Sequence, residues 1–151
     1  MDKADKQAER DRKNAEKQAQ MEAQVKSDYE NKKKNGGAGQ PIDQLKVWLD
    51  NAPFKSQDVA LKRDTLFQIM GAVMAMKQKD IDSMCQELSD KLILTLSKYL
   101  FKAFELIAAA DKEVISVVQN GQHLIKVQLK IKEKMGNCCI LKAQFEKHDV
   151  C

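Results

Sequence analysis

The chain has 151 residues, of which 43% are hydrophobic, 32% charged and 5% aromatic, enough for one domain with an aliphatic core plus an appendage. The net charge is only +4 and both signs are mixed along the chain, which does not indicate a nucleic-acid-binding protein. No apolar run is long enough to span a bilayer and the charged N-terminus lacks a secretory stretch, so we expect a cytoplasmic protein with reduced cysteines.

Residues 1–34 are predicted to form a charged N-terminal arm. Helix propensity is high there, but beyond the first residue only Met21 and Val25 are large and aliphatic, so a helix would gain little from packing. Two interpretations stay open: a frayed or disordered arm, and an arm that folds on a partner. Residues 35–41, NGGAGQP, are predicted to be a flexible linker, and residues 42–151 a helical core domain.

The core begins with three helical patterns. A short helix stops at Asn51-Ala52-Pro53, and Ser56 is the expected N-cap of a longer second helix. Asp80 is expected to cap a short third helix. The inner sides are predicted to carry Ile42, Leu45, Trp48 and Leu49 in the first helix, Val59, Leu66, Ile69, Met70, Val73 and Met74 in the second, and Ile81, Met84, Cys85 and Leu88 in the third.

A fourth helix is predicted from about Lys91 to Phe104 or beyond, preceded by a break or cap at Ser89-Asp90. It is apolar on most sides, which is typical of a central helix. Short helices joined by short turns predict an all-α fold, a compact irregular array of about six helices carrying an extended or helical arm.

Residues 115–132 allow two interpretations. Asn120-Gly121 between apolar runs is a hairpin signal, and residues 125–132 alternate as a strand would. A helix also fits, with Leu124, Val127 and Ile131 on one side, and we favour it because an isolated hairpin on a helical chain is only marginally stable. Gly136 is expected to end this helix, and a last short apolar helix or strand should follow.

No pattern of residues indicates catalysis or a cofactor. The glycines at 36–39 are not followed by the Lys-Ser pair of a phosphate-binding loop. Adjacent Cys138 and Cys139 diverge too much to be good zinc ligands, so no metal site is predicted with His148 or Cys151.

The stretch KYLFKAFE, residues 98–105, raises a question about the central helix. Leu94 and Phe101 lie seven residues apart, on the same side as Lys98 and Lys102, away from the main apolar side. Either another helix of the same domain covers this second apolar line, or a partner protein does.

Several motifs in order resemble one family. DNAPFKSQDVALKRD is similar to a family pattern with an Asn-Pro stop followed by a Lys-Ser-Gln helix start, here Lys55, Ser56 and Gln57, with Lys62 and Arg63 in the same helix. The next motif of the family pattern is matched by Lys77, Asp80 and Ile81. The stretch KYLFKAFE matches a family helix that ends Lys-Tyr-Ile-Tyr-Lys-Gly-Phe-Glu. The resemblance, over roughly residues 42–105, is to subunit five of the actin-related protein 2/3 complex.

The resemblance implies an all-helical, noncatalytic subunit of an assembly that nucleates branched actin filaments. It implies a hetero-oligomer in the cytoplasmic cytoskeleton, with a core that docks on the subunit-four scaffold and helps to hold β-propeller subunit one. The arm would reach actin-related protein 2, although family arms are usually acidic and this arm echoes their Tyr-Asp-Glu-Asn element only in part, around Tyr29. The predicted partner-binding residues are Tyr29, Lys55, Lys62, Arg63, Leu94, Lys98, Phe101 and Lys102.

Two other functions stay open at this point. One is an unrelated helical adaptor protein. The other is a binder of nucleic acid or acidic membrane that uses the basic residues of the arm and the side of Lys126, Lys130 and Lys134.

Overall fold

Residues 3–151, which the computed structural model describes, fold into seven α-helices and a final 3₁₀ turn. In chain order these are α1 (Lys3–Asn35), α2 (Pro41–Leu49), α3 (Val59–Ala75), α4 (Gln78–Glu87), α5 (Asp90–Ala108), α6 (Lys112–Val117), α7 (Gly121–Glu146) and the turn Lys147–Asp149. The predicted all-α fold is confirmed: α2–α7 build the core and α1 carries the arm. Within these residues no helix combines the length and apolarity needed to cross a bilayer.

Helix α5 lies at the centre of the core because it is apolar on most sides. Ser89 caps it by accepting a hydrogen bond from the Leu92 amide at 3.4 Å, as predicted. The helix packs against α2, α3, α6 and α7, so that little of its length faces water. Its buried residues are Ile93, Thr95, Leu96, Ser97, Tyr99, Leu100 and Ala103.

Helix α7 runs beside α5 and contains a kink. Gly136 has φ 73° and ψ −176°, so the helical backbone is interrupted there. Such a positive φ costs a glycine little and other residues more. The Gln128 amide donates a hydrogen bond of 3.0 Å to Ser97 Oγ, and because both side chains are buried this bond fixes how α7 and α5 align.

The helical interpretation of residues 115–132 is confirmed. Asn120 is the N-cap of α7, and its side chain accepts a hydrogen bond from the Gln122 amide at 3.1 Å. Asn-Gly therefore joins two helices and does not form the turn of a hairpin. The inner side of the first half of α7 carries the buried residues Leu124, Val127 and Ile131.

Three details of the helix starts differ from prediction. The N-cap of α3 is Asp58, whose carboxylate accepts from the Leu61 amide, while Ser56, two residues earlier, accepts from the Asp58 amide. Val59 then stands at the first position of α3 and is 64% exposed, so its assignment to the inner side was wrong. Asp80 lies inside α4, and its carboxylate accepts from the Lys77 amide at 2.8 Å.

Candidate protein-interaction site

The second half of α1 lies on the core through one side of the helix. Its half-buried residues recur every three or four positions, which places them on a single side. They are Gln18, Met21, Glu22, Val25, Asp28, Tyr29 and Lys32. Residues 3–17 are exposed on every side. The arm is thus helical and rests on its own core, an arrangement that neither interpretation of the sequence included.

Glu22 joins the arm to the turn before α3. Its carboxylate accepts hydrogen bonds from Ser56 Oγ at 2.7 Å and from the Gln57 amide at 2.6 Å. These bonds, led by the one from the Gln57 amide, hold the pKa of Glu22 below its ordinary value. The charged form of Glu22 therefore favours the docked arm.

Tyr29 provides the second attachment. Its ring is tilted against the buried Trp48 with centroids 6.0 Å apart, and its hydroxyl donates to the Asp64 carboxylate. Burial, and then the bond to Asp64, raise the pKa of Tyr29. One turn later Lys32 donates to the backbone carbonyls of Asp50 and Asn51. These contacts anchor the arm beside α2.

Glu22→Gln is expected to loosen the arm, because a neutral amide is a weaker acceptor for Ser56 Oγ and the Gln57 amide than a carboxylate. Hydrogen exchange of the amides in residues 18–35 should become faster. Acid should also loosen the arm of the wild type. A carboxyl group whose pKa is lowered by docking stabilises the docked state at pH values above the pKa that it has in the undocked arm. This stabilisation is lost as the pH falls through the pKa of the docked state.

Glu16→Gln is the matched control, since Glu16 is exposed and pairs only along the arm, with Arg12 at 3.1 Å. Equal exchange rates for the two variants would contradict a role of Glu22 in docking.

The two lysines of KYLFKAFE are paired within the chain. Lys98 Nζ lies 2.6 Å from the Glu146 carboxylate and 4.9 Å from the centre of the Phe54 ring. Lys102 Nζ lies 2.9 Å from Glu105. Each lysine side chain is only 12% exposed. Their role in partner binding stays a prediction, and the ion pair of Lys98 with Glu146 attaches the end of α7 to α5.

The predicted residues of α3 have different surroundings. Lys55, in the turn before the helix, is exposed, and Lys62 is half-buried. Arg63 contacts α6: its guanidinium donates to Asp111 at 2.7 and 2.8 Å and to Glu113 at 2.9 and 3.0 Å. Tyr29 and Arg63 thus have partners within the chain, while Lys55 is exposed.

Leu94 and Phe101 are both half-buried, so the second apolar line is partly covered by the chain itself. Phe101 packs edge-on against Phe104 with centroids 6.2 Å apart. Leu94 lies in an open groove of about 450 Å³ between the start of α5 and the kink of α7. The groove is lined by Asp90, Lys91, Leu94, Met135, Cys138, Cys139 and Lys142.

An exposed apolar surface continues from this groove along the second half of α7. Leu141 is 54% exposed and Phe145 is 78% exposed, and with Cys138 they share one side of the helix. The opposite side, with Cys139 and Ala143, is buried. We call Cys138, Leu141 and Phe145 the α7 surface. The sequence-based site prediction missed it, although the spacing of these residues against Cys139 and Ala143 carried the signal.

The arrangement offers binding surfaces and little reactive chemistry. Within residues 3–151 no group of three or more His, Cys, Asp or Glu side chains is placed to hold a metal ion. Burial raises the pKa of the Cys85, Cys139 and Cys151 thiols, which reduces their thiolate form.

Comparison with known proteins identifies the family. No curated protein and no solved structure gives a significant match. The sequence model of the ARP2/3 complex 16 kDa subunit (p16-Arc) matches residues 1–150, a range that includes both the arm and the helical core. The chain therefore belongs to the ARP2/3 complex 16 kDa subunit (p16-Arc) family.

Proposed function

We propose that the chain is subunit five of the ARP2/3 complex and acts by holding its neighbours in place, without an enzymatic activity of its own. Family membership makes it a noncatalytic structural subunit of the complex that nucleates branched actin filaments, with other subunits as its partners in the actin cytoskeleton. The match gives no support to an unrelated adaptor or to a binder of nucleic acid or membrane.

In the proposed arrangement the core docks on the subunit-four scaffold and helps to hold β-propeller subunit one, and the arm tethers actin-related protein 2. The α7 surface carries this proposal, because large apolar side chains exposed side by side on a helix often mark a protein interface. Leu94 and Phe101, half-buried on the neighbouring α5, would complete the contact.

Replacing both Leu141 and Phe145 with aspartate is expected to weaken the core's binding to its partner subunits by about 30-fold or more, the size of an interface hot spot. The helical content should be unchanged, since both side chains point away from the core. Co-purification of the tagged chain with the complex, followed by mass spectrometry and circular dichroism, measures both effects.

Val59→Asp is the control, because Val59 is also apolar and 64% exposed but lies on a different helix, α3. Retention of the double variant at the wild-type level would rule out the α7 surface as the docking site. Recovery of wild type without a β-propeller subunit would contradict the partner assignment.

A further inference from the structure

The exposed half of α1 sorts its mixed charges into rows. Lys3, Lys6, Arg10, Lys13 and Lys17 follow one another at intervals of three and four residues. At ~100° per residue they fall within an arc of about 80° and extend over about 21 Å of the helix. All five are exposed. We call them the basic stripe, which is hidden in the linear sequence because acidic residues alternate with it.

A row of acids runs beside the stripe. Asp5, Glu9 and Glu16 lie on the adjoining side of the helix, and Lys13 contacts Glu9 at 2.5 Å. The side beyond them carries small residues, Ala4, Ala8 and Ala15. Asp11 and Arg12 lie outside these two rows, and residues 3–17 carry nothing large and apolar on any side.

The core does not cover the basic stripe. The side of α1 that docks on the core, with Met21, Val25 and Tyr29, is rotated by roughly 80° from the stripe at ~100° per residue. The exposed fractions agree, because no residue from 3 to 17 is even half-buried. The contacts that hold the second half of the arm therefore leave the stripe open to another molecule.

We propose that the basic stripe binds an acidic protein surface on a neighbouring subunit of the complex, one whose carboxylates are spaced to meet basic groups along a helix. This inference rests on the proposed function, in which the arm tethers a neighbour. Each exposed ion pair contributes little alone, but five charges on a helix that is already formed and anchored act together.

This pattern of charges favours a protein partner over an acidic membrane or a nucleic acid, with which basic helices also associate. A helix that lies in a membrane interface buries large apolar side chains, and this half of α1 has none. A phosphate backbone would be repelled by Asp5, Glu9 and Glu16 beside the stripe. A protein surface can carry both signs, with acids opposite the stripe and bases opposite the acidic row.

The test uses the assembled complex with the full-length chain. A carbodiimide joins lysines directly to carboxylates, and mass spectrometry of the cross-linked wild-type complex identifies the partners. The stripe variant carries Lys6→Glu, Arg10→Glu and Lys13→Glu. The control variant, with the same change in net charge at exposed positions off the stripe, carries Arg12→Glu, Lys34→Glu and Lys112→Glu.

In the wild type, Lys3 and Lys17 are expected to cross-link to aspartates or glutamates of one neighbouring subunit. The yield at these two lysines should fall about tenfold to hundredfold in the stripe variant, as three attractive pairs become repulsive, and stay near the wild-type level in the control. Circular dichroism of both variants checks that α1 remains helical.

If the complex assembles but the cross-links of Lys3 and Lys17 stay within the chain, or if their yield is equal in the two variants, the inference is overturned. The inference would also be overturned if the wild type bound phosphatidylserine vesicles or polyuridine RNA at physiological salt, the stripe variant lost this binding, and the wild type formed no cross-links to a neighbour. A wild-type chain that never enters the complex would instead overturn the proposed function, and this inference with it.

Discussion

Leu100→Ala is expected to lower the free energy of unfolding by about 2–5 kcal/mol, the cost of an unfilled cavity in a core. Leu100 is fully buried near the middle of α5, the helix that packs against α2, α3, α6 and α7. Because Leu100 is fully buried in a helix that other elements cover on several sides, few side chains can move into the space that the leucine leaves. A domain of this size has only about 5–15 kcal/mol of stability, so much of it would be lost.

Urea unfolding followed by circular dichroism measures this loss. Leu129→Ala is the matched control, because Leu129 is the same residue type in a neighbouring helix but is 53% exposed. Its effect should stay within about 0.5 kcal/mol. Similar losses for the two variants would show that α5 is not the centre of the core.

Arg63→Ala is expected to cost about 1–3 kcal/mol, the usual range for buried or half-buried hydrogen bonds to charged groups. The guanidinium joins α3 to the start of α6 through Asp111 and Glu113, and it lies 5.1 Å from the centre of the Phe67 ring. Asp111 also caps α6 by accepting from the Val114 amide at 3.2 Å. Loss of Arg63 therefore weakens both the helix contact and the geometry of the cap.

The effect of Arg63→Ala should depend on pH. The hydrogen bond from Arg63 is the main cause that holds the pKa of Asp111 below its ordinary value. A carboxyl group whose pKa is lowered by folding stabilises the fold at pH values above its pKa in the unfolded chain. The stabilisation is lost as the pH falls through its pKa in the folded chain. The stability difference between wild type and variant should thus be larger at neutral pH than in acid.

Unfolding of both proteins at pH 7 and near pH 3 gives this comparison. Lys55→Ala is the control, since Lys55 is exposed in the turn before the same helix. A difference that does not change with pH would mean that Arg63 acts through packing on Phe67 alone.

The core could be predicted because its helices follow local rules. In α2, residues Ile42, Leu45, Trp48 and Leu49 recur with the helix period, and all four are buried. Periodicity does not mark where a helix meets its neighbours, however. Val59 fits the inner side of α3 by spacing, yet it stands at the first position, beyond the end of the core.

The candidate site was harder to predict because its contacts join distant residues. Glu22 meets Ser56, and Lys98 meets Glu146, through polar groups that have no periodic signal. A polar arm with no apolar side was expected to stay off the core, yet hydrogen bonds and one tyrosine dock it. Whether Leu94 and Phe101 face a partner stays a prediction, since one chain shows only how much of each side chain its own core covers.

The helical state of the arm has a consequence for the reach of its exposed half. As a helix, residues 3–17 are about 22 Å long, while a flexible coil of the same residues would have an end-to-end distance of roughly 21 Å. The average distance between the two ends is thus nearly the same for the helix and the coil, and only the range of distances differs. A stiff segment raises the local concentration of its tip at one distance and nearly abolishes it at shorter ones. The arm would then contact a neighbour only when the assembly holds that neighbour at the distance set by the length of the helix.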